Sequence, residues 1–327
     1  MAQCQANDSE LNVHFANETN VHEIALAPPI NLDNAELSGL TWCGDKLILL
    51  PQYPKRLSAD QHSYFYYLEK SDLLQALSNP DFPPLKAKPI RINEKDIRNA
   101  VSIFDGFEAI ECHEQTVWLS IEAVTLLGQY QSVLVPADIQ FEPVASITIH
   151  ADQLTHLPSL SKLKNMGDEA IIMHGDDIIA IHEVNDPRVV ANAYARQLQR
   201  HDGTLTHIPF PSLAFRITDA TKLNNDHKFW AINYKYSGDK FNRGAHDDIT
   251  QIHGEGRSHK TFYNVERLLE FELKGGAISL TNSPPILLKM QRPEGRNWEG
   301  IARLDNLGFL LVTDKHPRTI LAFVPLN

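Results

Sequence analysis

The sequence predicts an all-β protein, a β-propeller most simply of five blades, from three observations. Hairpin-forming stretches recur along the whole chain. Each opens on a polar residue set before an apolar strand. The spacing of those openings also closes on itself across the two termini.

The recurring stretches are LSGLTWCGDKLILLPQYP from Leu37, GFEAIECHEQTVWLSIEA from Gly106 and GDEAIIMHGDDIIAIHEVN from Gly167. ITDATKLNNDHKFWAINYKY follows from Ile217 and NWEGIARLDNLGFLLVTD from Asn297. In each, an apolar run reaches a turn such as Gly44-Asp45 or Asp305-Asn306 and continues into a second apolar run. Turn residues between two β-rich runs specify a hairpin. Recurrence of one unit along a chain specifies a repeat fold.

The aligned polar positions are Ser38, Glu108, Glu169, Asp219 and Glu299, separated by 70, 61, 50 and 80 residues, and by 66 around the termini. The last interval matches the others if the termini share one blade. Val21–Pro28 is then the closing strand beside Thr319–Leu326, leaving no open sheet edge. Segments such as SYFYYLEK and KAKPIRIN supply outer strands, and Ser71–Leu77 carries leucines at helical spacing. The long interval between Asp219 and Glu299 leaves room for a sixth blade. The domain reading is a flexible tether over 1–20 and one propeller over 21–327.

Composition narrows the function. A formal net charge of −11 argues against a nucleic-acid polymer as partner, since phosphate-backbone binding needs a concentrated basic face. No apolar run reaches the length of a membrane span. The three cysteines, Cys4, Cys43 and Cys112, form no Cys-x-x-Cys pair, so a zinc cage is not indicated. Cys43 and Cys112 lie in apolar strands and read as buried free thiols. Cys4, ahead of a polar stretch, is similar to the mature start of a bacterial lipoprotein, which implies a lipid tether and a periplasmic, secreted or surface-anchored location; a disordered terminus with no such role is the alternative.

First strands of propeller blades run from one mouth of a central channel, so the five aligned residues converge there. Four carboxylates gathered in a buried ring repel one another unless something offsets the charge. A hard cation with oxygen ligands, Ca2+, does so. The absence of His and Cys at these positions disfavours zinc or copper. Cross-bracing of backbone amides by the same carboxylates is the alternative.

The segments that return to the mouth are rich in basic residues, among them Arg56, Arg188, Lys235, Lys315, His316 and Arg318. Arg296 lies just before a ring position. They predict an electropositive mouth for an anionic small molecule. Asp105 and Asp168, also just before ring positions, are candidates to position a water or act as general base beside the metal. Ser237–Thr261 is long and polar and reads as a mobile surface loop.

The elements LSGLTW, FEAI, DEAI, TDATKL and WEGIA resemble the blade starts of the calcium-activated nucleotidases (apyrases). They are also similar to the broader phytase-like and esterase-like propellers. That resemblance implies calcium ligands at Ser38, Glu108, Glu169 and Glu299, with Asp219 standing where the family has a serine. It implies a calcium-dependent hydrolase of phosphate esters or anhydrides. The family's basic loops after blades one and three are not reproduced by PQYPKR and HEVNDPR, so a non-catalytic ligand- or protein-binding propeller with a structural calcium remains the alternative.

Overall fold

The computed structural model describes residues 15–58, 62–236 and 238–326. Its chain forms an all-β, propeller-like fold whose described strands make four sheets, mostly antiparallel; the nine-stranded sheet joins two successive strand groups edge to edge, so that five such groups follow one another along the chain. The groups begin with the hairpins Leu37–Cys43/Lys46–Pro51, Ile103–His113/Thr116–Val124, Asp168–His174/Asp177–His182, Arg216–Ala220/Lys228–Tyr234 and Trp298–Leu304/Gly308–Thr313. Outer strands follow each hairpin, and the last two groups each take their outermost strand from the start of the chain, Glu18–Thr19 for the fourth and His22–Ile24 for the fifth. The latter pairs antiparallel with Leu321–Phe323, as the spacing around the termini predicts.

The leading strands of the five groups contact one another in sequence, and the last contacts the first. Five apolar clusters follow the same cycle. One lies between the first and second groups (Phe65, Phe107), one between the second and third (Leu134, Ile171) and one between the third and fourth (Ile172, Phe229). One joins the fourth to the fifth (Trp230, Phe309), and the last joins the fifth to the first (Leu310, Leu49). Apolar residues on both faces of these strands follow from burial on both sides. At the closing seam, a Cβ on Gly300 would lie 3.0 Å from the Gly39 backbone carbon, so this approach requires glycine.

The structure changes three expectations. Residues 16–20 belong to the folded body and not to a tether: Ala16 bridges to Gly256, and Glu18–Thr19 pairs with Leu287–Leu288. The tether's earlier part and Cys4 lie outside the described residues. Cys43 and Cys112 are not free thiols but a disulfide, with Cα atoms 5.5 Å apart, joining the leading strands of the first two groups. Sixty-nine residues of sequence hid that adjacency. The supposed mobile loop contains two short helices, Asp248–His253 and Arg257–Phe262. They are tied down by an Arg267–Asp247 ion pair at 2.8 Å and by buried Ile249 and His259. Among the described residues this helical insertion and three strands of the fourth group, Glu266–Lys274, Ala277–Leu280 and Ile286–Leu288, occupy the long interval before Glu299.

Among the described residues no helix is long and apolar enough to cross a membrane. The disulfide is consistent with an oxidising, extracytoplasmic environment.

Candidate functional site at the channel mouth

Every leading strand carries a register irregularity near its start. Pairing jumps from Leu37 to Gly39, from Phe107 to Ala109, from Asp168 to Ala170, and from Trp298 to Gly300. The skipped residues are Ser38, Glu108, Glu169 and Glu299. A bulge of this kind re-aims a side chain out of the sheet's alternation, and bulges gather beside functional sites. In the fourth group the jump runs from Ile217 to Ala220, skipping two residues, Thr218 and Asp219.

That extra residue decides which one joins the row. Thr218 donates to the carbonyl of Trp298 at 2.6 Å, and Ser38 donates to the carbonyl of Phe107 at 2.6 Å. Both carbonyls belong to the residue just before the next group's ring glutamate, so Thr218 is the counterpart of Ser38. Asp219, expected as a metal ligand, is instead a brace. Its carboxylate accepts from the amides of Ala220 at 2.8 Å and Ile301 at 2.7 Å, and from that of Leu40. It thereby stitches the fourth group to the fifth and first. Alignment on acidity placed Asp219 in the row; alignment on the preceding apolar residue, Ile217 against Trp298, would have found Thr218.

A second row lies at the ends of the returning strands: Gln52, Glu122, Glu183, Tyr234 and Asp314, each just past the residue paired with the start of its bulge, with Tyr234 itself paired to Arg216. Sequence reasoning missed this row because it sought basic residues in those segments. In the sequence these residues sit one or two places beyond Leu50, Ile121, Ile181, Ile232 and Val312. The rows interlock between neighbouring groups: Gln52 donates to Glu108 at 2.9 Å, and the Tyr234 hydroxyl donates to Glu299 at 3.2 Å. Gly106 makes the first contact feasible, since a Cβ there would come within 2.6 Å of the Gln52 side chain.

The electrostatics are acidic. Burial, then repulsion from Glu122, raises Glu108 well above the usual carboxylate range. Burial raises Glu169 and Glu299 in the same way, reinforced by Glu183 for the first and by Asp314 for the second. Burial together with Glu183 pushes Glu122 up to about 8. One guanidinium lies among these groups. Arg216 binds Glu183 and grips Asp239 through two hydrogen bonds of 2.6 Å. Four buried carboxylate oxygens among the described residues have no hydrogen-bond partner: Oε2 of Glu169 and Oε2 of Glu183 in these rows, Oδ1 of Asp168 beside them, and Oε1 of Glu94 elsewhere. Among the described residues no three His, Cys, Asp or Glu side chains are gathered at metal-ligand spacing.

The expected electropositive mouth is not found, because most of its cations are already engaged. Arg188 is bound to Asp186 and to the carbonyls of Phe241 and Arg243. Arg296 pairs with buried Glu266 at 2.7 Å and Arg318 pairs with Glu23. Lys235 donates to the Tyr263 carbonyl at 3.2 Å. Arg56 and Lys315 both reach Glu36, at 2.8 and 3.5 Å. His316 is exposed, and its backbone amide donates to Asp314 at 2.7 Å.

The two candidate bases separate. Asp105 is half-buried at the mouth, and burial raises its carboxyl. Its backbone carbonyl accepts from the Tyr53 hydroxyl at 2.8 Å. Asp168 is buried against Arg196, which holds its carboxyl low despite burial. That ion pair removes it from the mouth and makes it structural. Beside it, His182 lies 3.5 Å from the Ser159 hydroxyl, superficially a nucleophile–base pair. Its Nδ1 accepts from the Val184 amide, so the proton sits on Nε2 and the ring cannot act as base toward Ser159.

No family model matches this chain, and no curated protein matches it. Solved structures share its general shape at low identity. A soluble aldose sugar dehydrogenase from Escherichia coli is 10% identical over 94% of this chain and 100% of that one, with a TM-score of 0.46. A GH43_1 enzyme from Xanthomonas citri complexed with xylotriose is 10% identical over 94% and 91%, with a TM-score of 0.49. An α-L-arabinanase mutant from Cellvibrio cellulosa is 8% identical over 90% and 92%, with a TM-score of 0.47. At TM-scores below 0.5 these likenesses assign neither a family nor an activity to the chain.

Proposed function

We propose that the five strand groups are the blades of a five-bladed propeller that binds a hard divalent cation, Ca2+, at the acidic mouth of its axis. The observation that carries this reading is the pair of orphaned oxygens on Glu169 and Glu183, buried among carboxylates that repel one another. A buried carboxylate oxygen without a partner is costly, and an oxygen-seeking cation removes the cost and the repulsion together. Glu169 and Glu183 would hold the ion, with Glu108 and Glu299 facing it and water supplying further oxygens. Thr218 supports the implied resemblance to the calcium-activated nucleotidases better than Asp219 does, because it restores a hydroxyl where that family has a serine. With the disulfide, this reading favours an extracytoplasmic protein.

Calorimetric titration of chelator-treated protein with calcium chloride tests the proposal. One saturable site and a raised melting temperature are expected, both weakened in Glu169→Gln and Glu183→Gln. Absence of binding in the unsubstituted protein would overturn it.

A catalytic use of the cation is favoured by one observation, the half-buried Asp105 carboxyl at the mouth. When bound, the ion supplies Lewis acidity toward a phosphate ester or anhydride. Asp105 would take the proton of an attacking water. Calcium-dependent phosphate release, abolished in Asp105→Asn, is the expected result. Stabilisation by calcium with no turnover on nucleotides or phosphate esters assigns the ion a structural role instead.

A further inference from the structure

The strongest unassigned concentration of positive charge lies away from the axis, where the outer edges of the first two strand groups meet. There Arg91 and Ile92 pair in parallel with Ser146 and Ile147. Beside this seam opens a cavity of about 570 Å³. Its size is that of a small-molecule site. Ile92 and Ile147, both buried, contribute apolar floor, and Ser63 and Ser146 are among its polar lining.

Among the described residues four cations line it, Lys55, Arg91, Lys95 and Arg98, against one carboxylate, Glu94. In a chain of formal net charge −11 that local balance is reversed. Arg98 Nε donates to Glu94 Oε2 at 2.6 Å, the other oxygen of that carboxylate having no hydrogen-bond partner, and the Arg98 guanidinium lies 4.0 Å over the Phe104 ring. Arg98 is thereby held in place. Among the described residues no carboxylate pairs with Lys55, Arg91 or Lys95; the Arg91 guanidinium lies 3.1 Å from Nδ1 of His62. These three cations come from different places, a turn after the first hairpin, an outer strand and the start of a short helix, and the fold brings them to one cavity.

We propose that this cleft binds a small organic molecule carrying a phosphate or sulfate monoester. A tetrahedral dianion offers Lys55, Arg91 and Lys95 charge-assisted hydrogen bonds, with Arg91 able to engage two of its oxygens. The cavity is larger than the anion alone, so the remaining volume takes the organic part over the Ile92 and Ile147 floor. This inference is independent of the axial cation.

The test is calorimetric titration of chelator-treated protein with glucose 6-phosphate, glucose 6-sulfate, inorganic phosphate and glucose. The expected result is saturable binding of the two esters, weaker binding of inorganic phosphate and none of glucose. Whether the phosphate or the sulfate ester binds more tightly identifies the natural group. The double variant Arg91→Ala/Lys95→Ala should weaken ester binding at least about tenfold, since each substitution removes a hydrogen bond to a charged group. Its melting temperature and its calcium titration should not move, because both side chains are exposed and remote from the axis. Equal ester affinity in the variant, equal binding of glucose, or no saturation by any anion up to about 10 mM would overturn the proposal.

Discussion

The hydroxyl of Thr218 donates to the carbonyl oxygen of Trp298 at 2.6 Å across the fourth and fifth strand groups. Ser38 and Phe107 repeat that contact, at the same distance, across the first and second. Both hydroxyls occupy bulged positions, so two of the five inter-group seams are closed by one side-chain device acting on the backbone.

Removing that device has a defined cost. Thr218→Val keeps the shape and leaves the Trp298 carbonyl unsatisfied in a buried setting. A loss of about 1–3 kcal/mol is expected by urea denaturation, with Thr218→Ser retaining most of the stability. Equal losses in the two variants would show that the hydroxyl does not matter.

Arg216 is the guanidinium set among the axial carboxylates, and it satisfies Glu183 and Asp239 together. Arg216→Met strands two buried acids. A destabilisation of about 3–5 kcal/mol is expected, with Arg216→Lys recovering only part because an ammonium cannot grip Asp239 through two parallel bonds. Denaturant midpoints at fixed pH measure both.

Asp168→Asn breaks the buried pair with Arg196 and leaves a guanidinium without its counter-charge. A comparable loss of stability, about 3–5 kcal/mol, should follow. Because Asp168 is turned away from the mouth, calcium affinity measured on the folded fraction should be unchanged. A selective loss of calcium binding would return Asp168 to the site.

The disulfide closes a separation of 69 residues between two adjacent leading strands. On the chain-entropy account, the double variant Cys43→Ala/Cys112→Ala should lose about 4 kcal/mol, through the less restricted unfolded chain. Unfolding with and without reductant should show the same difference in the unsubstituted protein and none in the variant.

Stability should also depend on pH in an unusual direction. Glu108, Glu122, Glu169 and Glu299 all bind protons more tightly folded than unfolded. Their contribution is therefore fully present below the ordinary carboxylate range and is lost as pH rises, through about 8 in the case of Glu122. Asp168 and Asp247 are held low by Arg196 and Arg267 and act oppositely, but only in more acid solution. Chelator-treated protein should melt at a higher temperature near pH 6 than near pH 8, and calcium should shrink the difference. A metal-free melting temperature that rises steadily toward pH 8 would contradict the buried repulsion.

The sequence by itself determined the hairpins and the polar residue that opens four of them. Alternation, turn residues and recurrence are local properties, and Ser38, Glu108, Glu169 and Glu299 share one place in a local pattern. The closing strand was legible for the same reason, since the interval around the termini repeats the others. Tertiary structure alone decided what each polar side chain does. One extra residue in a bulge moved Thr218 into the row and turned Asp219 onto backbone amides. Arg188, Arg296 and Arg318, chosen for their charge, found Asp186, Glu266 and Glu23. Two of those three acids lie in other strand groups or at the opposite end of the chain. The identity of a charge is written in the sequence; its partner is set by which strands the closed ring brings side by side.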